Sequence, residues 1–143
     1  MTSAPFAVAE RVRWADVDLV GIMRYDAYTR FIDLAEGEML RSVGLSAPKI
    51  AERYDVWLPR KVLHVEYHAP ARLDDLLAVR AWIGHVGSSS LKLEFEITDA
   101  DSGSPRASAH FVLVCVGRTD LQKRPLPAEV VLLLRPYVTG SSS

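Results

Sequence analysis

Apolar and polar residues in this chain repeat with two different periods, and the change of period separates one helix from a run of strands. From Asp26 to about Val43, Tyr28, Phe31, Ile32, Ala35, Met39 and Val43 recur at helical spacing, which predicts one long amphipathic helix. Arg30, Asp33 and Arg41 fall largely off that stripe, and Gly44 is well placed as the left-handed residue that ends it. Gly37 is out of keeping, because a mid-helix glycine costs about 1 kcal/mol relative to alanine. Close packing of the helix on a sheet or on a partner helix is the expected reason.

The strand segments alternate. Leu63, Val65 and Tyr67 interleave with His64, Glu66 and His68, and Leu77, Val79, Ala81 and Ile83 with Ala78, Arg80 and Trp82. Leu91, Leu93, Phe95 and Ile97 interleave with Lys92, Glu94, Glu96 and Thr98, as a sheet with one wet face requires. A first strand is predicted from the shared parity of Val8, Val12 and Trp14. The segment from Arg106 to Val116 is almost continuously apolar, so both of its faces are expected to be covered. Turn signals fall at Pro70 with Asp74-Asp75, at Gly84 to Ser90, and at Asp99 to Pro105. One helix cannot cover so much apolar sheet. An α+β domain is expected, its antiparallel sheet of about five strands wrapped round the helix and continued across a second copy.

Composition narrows the function classes. With 143 residues, the chain is read as one domain over 1–138 with a disordered tail over 139–143. A net charge of −1 gives no global field for nucleic acid or an anionic membrane. No apolar run approaches the roughly 18 residues of a membrane span. The first residues lack the basic and apolar regions of a signal peptide, so a cytoplasmic protein is expected. The single cysteine, Cys115, rules out an internal disulfide and reads as a small buried hydrophobe.

The segment Arg13-Trp14-Ala15-Asp16-Val17-Asp18-Leu19-Val20-Gly21-Ile22-Met23-Arg24-Tyr25-Asp26-Ala27-Tyr28 carries the candidate chemistry. It sets a carboxylate, Asp18, a few residues ahead of a helix N-terminus, whose free amides can hold a developing negative charge. That pair is the minimal equipment for hydrolysing an activated ester, although a loop aspartate can also simply cap the following turn. Other candidates weigh less. His64 and His68 share a strand face but lie roughly 13 Å apart at about 3.3 Å per residue, too far for one ion, so no metal is expected. His110 reads as a satisfied core histidine. There is no Gly-x-Ser-x-Gly elbow, no Gly-x-Gly-x-x-Gly and no Walker loop.

Asp16-x-Asp18-x-x-Gly21-Ile22-x-x-Tyr25-x-x-Tyr28, the long helix ending Glu38-Met39-Leu40-Arg41, and Tyr67-His68-Ala69-Pro70-Ala71-Arg72-Leu73-Asp74-Asp75 together resemble the hotdog-fold thioesterases. The resemblance is to the 4-hydroxybenzoyl-CoA thioesterase and YbgC-like acyl-CoA thioesterase branch, over roughly residues 7 to 130. It implies a hotdog fold and hydrolysis of an acyl-CoA or acyl-carrier-protein thioester to acid and thiol, without metal or redox cofactor. It makes Asp18 the nucleophile or general base and the Tyr25 N–H the oxyanion donor, and leaves Asp16 a structural or capping role. Gly21 and Met23 are expected at the substrate, Gly21 by permitting close backbone approach, and His64 in the acyl pocket, with Trp57 and Leu58 also expected to shape it. The aromatic-specific branch grips the CoA phosphates with arginines in the turn that here reads Gly84-His85-Val86-Gly87-Ser88-Ser89-Ser90. Ser88, Ser89 and Ser90 are therefore the candidate carrier contacts, with Arg60, Lys61 and Arg118 as possible substitutes. The resemblance also implies a homo-oligomer, a dimer with sites at its interface or a dimer of dimers. Two other readings stay open: a 3-hydroxyacyl thioester dehydratase or hydratase, and a non-catalytic acyl-thioester binder.

Overall fold

Strand β1 (Phe6–Arg11) enters a long loop before helix α1 (Tyr28–Ser42), in the computed structural model that describes residues 5–139. A short helix α2 (Ala47–Tyr54) and strand β2 (Val56–Trp57) follow, then β3 (Arg60–Tyr67), β4 (Leu76–Val86), β5 (Ser90–Asp99) and β6 (Pro105–Val114). Strand β7 (Val116–Gly117) and helix α3 (Ala128–Leu134) close the chain. The main sheet is antiparallel, in the order β1-β4-β5-β6-β3, and β2 pairs with β7 in a small second sheet.

The helical stripe does what its spacing predicts. Tyr28, Phe31, Ile32, Ala35 and Met39 are buried against the inward residues of the sheet, among them Leu77, Val79, Phe95 and Phe111. Gly44 has φ +78 and ends the helical segment. A Cβ built on Gly37 meets nothing within 4 Å among the described residues, so of the two expected reasons close packing on the chain's own sheet is not the one.

Other differences have local causes. β1 ends at Arg11, and Trp14 opens a single 3₁₀ turn, 80% exposed, instead of continuing the strand inward. In β6 only alternate residues are buried, because α1 covers one face and no described residue fully covers the other. His110 is thus no core histidine. It lies on the outer face, opposite His64, with the two rings stacked 5.0 Å apart. Cys115 is fully buried, as expected. Thr139 is held, its N–H donating to the Ile83 carbonyl at 3.1 Å, while the rest of the expected tail lies outside the described residues.

Candidate active site

The loop between β1 and α1 is built around two aspartates with opposite surroundings. Asp16 is buried, and Arg30 on α1 donates to both of its carboxylate oxygens, at 2.9 and 2.6 Å. The Arg13 amide adds a third bond at 2.8 Å. Burial pushes the Asp16 carboxyl up, but the hydrogen bonds from Arg30 and Arg13 outweigh it and hold the group below its ordinary value. This carboxylate ties the loop to the helix.

Asp18 is exposed and faces the other way. Its Oδ1 accepts from the amides of Val20, at 3.0 Å, and Ile22, at 3.3 Å. The turn is closed by Asp18 N–H to the Ile22 carbonyl and Gly21 N–H to the Asp18 carbonyl, both 3.0 Å. Gly21 sits at φ +79, so the turn needs glycine for its dihedral, and open space lies where a Cβ would go. With Oδ1 engaged by the loop, Oδ2 has no partner among the described residues. Asp18 borders a hollow of about 660 Å³ together with Trp14, Val17, Leu19, Val20, Gly21 and Leu73. Three of these, Trp14, Leu19 and Val20, are large apolar side chains left in solvent.

The two arms of the loop are laced by a Val17–Met23 bridge and by Arg24 N–H to the Asp16 carbonyl at 2.8 Å. That lacing delivers the chain into a 3₁₀ turn over Tyr25–Ala27, which runs directly into α1. No described residue accepts from the Tyr25 N–H, which the start of a helix leaves free. Tyr67 on β3 donates its hydroxyl to the Tyr25 carbonyl at 2.8 Å and fixes this turn against the sheet. Met23 is buried beside it and lines a smaller hollow of about 320 Å³ with Tyr25, Tyr28 and Tyr67.

Other expected site residues do not join this group. His64 lies on the outer sheet face, hydrogen-bonded to Glu66 at 2.9 Å, because strand alternation gives the helix side to Leu63, Val65 and Tyr67. Ser88, Ser89 and Ser90 lie at the opposite end of the sheet from the Asp18 loop. Arg11 pairs with Leu76 at the start of β4, whereas the serine turn follows Val86 at its far end, about 33 Å away at about 3.3 Å per residue. Within one chain the serine turn cannot reach Asp18. Its backbone is also engaged, the Ser88 and Ser89 carbonyls accepting from Leu126 and Cys115. Arg118 packs 5.7 Å from the Trp57 ring and donates to the Ala51 carbonyl, and Arg60 pairs with Glu36 and Asp33. Trp57 and Leu58 line a different hollow from Met23.

Sequence reasoning missed Glu36. It is a charged residue on the buried side of α1, where the apolar stripe gave no reason to look for it. Burial pushes its carboxyl up to about 7; the Arg60 charge opposes that and the Asp33 charge adds to it.

This geometry can be set beside known proteins. A profile of the thioesterase-like superfamily matches residues 12–134, a span that includes the Asp16–Asp18 loop, α1 and the whole of β3 to β6.

The chain belongs to that superfamily.

The acyl-CoA thioester hydrolase YbgC of Escherichia coli O157:H7 is 31% identical over 131 residues, covering 92% of this chain and 96% of YbgC. A 1,4-dihydroxy-2-naphthoyl-CoA hydrolase from Synechocystis is 28% identical over 122 residues, 85% of this chain and 88% of that protein. Among solved structures, a 1,4-dihydroxy-2-naphthoyl-CoA thioesterase from Synechocystis superposes with a TM-score of 0.85 at 26% identity, covering 92% of this chain and 96% of that one. The Staphylococcus aureus protein SAV2348, solved in complex with CoA, shares the fold with a TM-score of 0.87 at 17% identity, covering 100% of this chain and 90% of its own. The five-stranded antiparallel sheet around one long helix is thus the hotdog fold of this superfamily.

Proposed function

We propose that this thioester hydrolase cleaves acyl-CoA to free acid and CoA thiol, with Asp18 acting on the thioester carbonyl and the Tyr25 N–H receiving the charge that develops on oxygen. The observation that carries this reading is the division of labour within Asp18. One carboxylate oxygen is fixed by two loop amides, the other has no partner among the described residues, and the residue borders an apolar-walled hollow. A carboxylate so oriented can attack the carbonyl carbon or take a proton from an attacking water. The negative charge then forms on the carbonyl oxygen, where a preorganised amide at a helix start stabilises it; losing one such donor costs on the order of 3 kcal/mol in comparable sites. No histidine shares this loop, His64 and His110 lie on the outer sheet face, and His68, which lines the hollow beside Tyr25, has its Nε2 engaged with the Ser108 hydroxyl at 2.9 Å. That argues for hydrolysis over dehydration, which wants a histidine and a carboxylate on adjacent carbons.

The functional unit in this reading is at least a dimer. β3 is a sheet edge exposed at nearly every position, and the apolar residues around Asp18 stand in solvent. A second copy would cover both features, and only a second copy could bring a serine turn to the carrier. Thiol release measured over a panel of acyl-CoA and acyl-carrier-protein thioesters tests the activity. Turnover of acyl-CoA is expected, binding without thiol release would make the protein an acyl-thioester binder, and hydration products would make it a dehydratase.

A further inference from the structure

One side of α1 leads away from the Tyr25 amide past Thr29, Asp33, Glu36, Gly37 and Leu40, which share one helix face by their spacing. Two hollows follow one another along it. The first, about 350 Å³, is bounded by Thr29, Ile32, Leu63 and Phe111; the second, about 390 Å³, by Gly37, Leu40, Ile50, Trp57 and Leu58. Asp33 and Arg60 border both, and Glu36 borders only the second. The Arg60 guanidinium lies 4.7 Å from the Phe111 ring centre, on the side of the first hollow, and from there it pairs with Glu36 and reaches Asp33 at 3.7 Å. An ion pair therefore stands at the junction of two mainly apolar spaces.

We propose that the Arg60–Glu36 pair is a partition that sets the length of the acyl group: short groups end in the first hollow, and longer aliphatic groups turn Arg60 aside and enter the second. The proposal rests on the thioesterase reading, since it takes the thioester carbonyl to sit at the Tyr25 amide. At about 1.5 Å per helical residue, Asp33 lies about 12 Å and Leu40 about 22 Å along α1 from Tyr25, so only a long chain spans both. The pair is built to yield on one side. The Glu36 side chain is held inside at 10% exposure, while Arg60, at 44%, is the less confined member and the one that turns. Gly37 supplies an independent observation. Its cost to the helix has no packing explanation within the chain, and any larger side chain there would project into the second hollow. The glycine keeps that space open.

The test compares kcat/KM for hexanoyl-CoA and myristoyl-CoA in the full-length protein, read as the long-to-short ratio. Arg60→Ala removes the partition and should raise the ratio about tenfold or more, the scale on which apolar pockets discriminate. Gly37→Leu fills the second hollow and should lower the ratio by a similar factor. If Arg60→Ala does not fold, Gly37→Leu decides alone, since its added atoms meet open space and leucine favours the helix. Ratios within about twofold of wild type in every variant that folds overturn the partition. If hexanoyl-CoA is still cleaved in an Asp18-dependent way in that case, the thioesterase reading stands; wild-type protein that cleaves neither ester overturns both.

Discussion

Arg30 grips Asp16 through two hydrogen bonds, Nε to Oδ1 at 2.9 Å and Nη2 to Oδ2 at 2.6 Å, and so fastens the loop that carries Asp18 to the first turn of α1. The same guanidinium also pairs with Glu10 on β1. One side chain thereby joins strand, loop and helix ahead of the proposed oxyanion amide. Asp16→Asn weakens the bonds to Arg30, which is 37% exposed and keeps Glu10, so it should cost about 1–2 kcal/mol and should lower kcat as the loop loosens. The hydrogen bond from Arg30 holds Glu10 below its ordinary value, and Asp16 is held below its own. Depressed carboxyl pKa values contribute stability that is present above the unfolded values, 3.8 and 4.5, and is lost as pH falls through the folded ones. Urea melts of wild type and Asp16→Asn should therefore differ fully above about pH 5 and converge toward pH 2.

Glu36 has the opposite sign. Its folded pKa is raised to about 7 from 4.5, so between those values the native state holds a proton that the unfolded chain has lost. Stability from this group falls as pH rises through that window. Glu36→Gln removes the titration, so the stability of the variant relative to wild type should climb by up to about 3 kcal/mol between pH 4 and pH 8. Thermal melts across that range check it, and a flat difference would contradict the burial of this carboxyl.

Gly21 is required by its φ of +79. Gly21→Ala places a side chain in the left-handed region, at a cost of about 1–2 kcal/mol. The turn holding Asp18 should distort, with kcat falling by more than the stability loss explains. A variant with normal turnover would show that the turn tolerates alanine and that its shape is not used in catalysis.

Tyr67→Phe removes only the hydroxyl that donates to the Tyr25 carbonyl. This tyrosine is half exposed, so stability should fall by only about 0.5–1 kcal/mol. The turn presenting the Tyr25 amide loses its anchor, and kcat should drop about tenfold with KM little changed, because small misplacements at a reacting centre are costly. Equal kcat in the two proteins would separate this bond from the reaction.

Much of the fold was legible in the sequence because burial on one side imposes a period. The stripe from Tyr28 to Met39 and the alternation from Leu91 to Ile97 read directly as helix and strand. Helix α2 was not found, since over eight residues a Ser46-Ala47-Pro48 start gives little periodicity. β6 misled by composition: the apolar run hid the fact that His110, Val112 and Val114 point away from α1. The loop motif singled out Asp18 and Tyr25 because both lie on one continuous segment, and the structure sets them at two neighbouring stretches of that loop, each beside its own hollow. Where His64 and the serine turn lie relative to Asp18 was not legible, since it depends on which sheet face and which strand end they occupy. Glu36 and Arg60 meet only through the approach of α1 to β3, and spacing within either element cannot disclose that.

The most direct test of the central claim is hydrolysis by Asp18→Asn. Asparagine keeps an oxygen for the amides of Val20 and Ile22, so the turn should survive, and only the charge at the unpaired oxygen is lost. The variant should melt as wild type does and hydrolyse acyl-CoA with kcat about 10³-fold lower. A folded Asp18→Asn protein that releases CoA thiol at the wild-type rate would contradict the account.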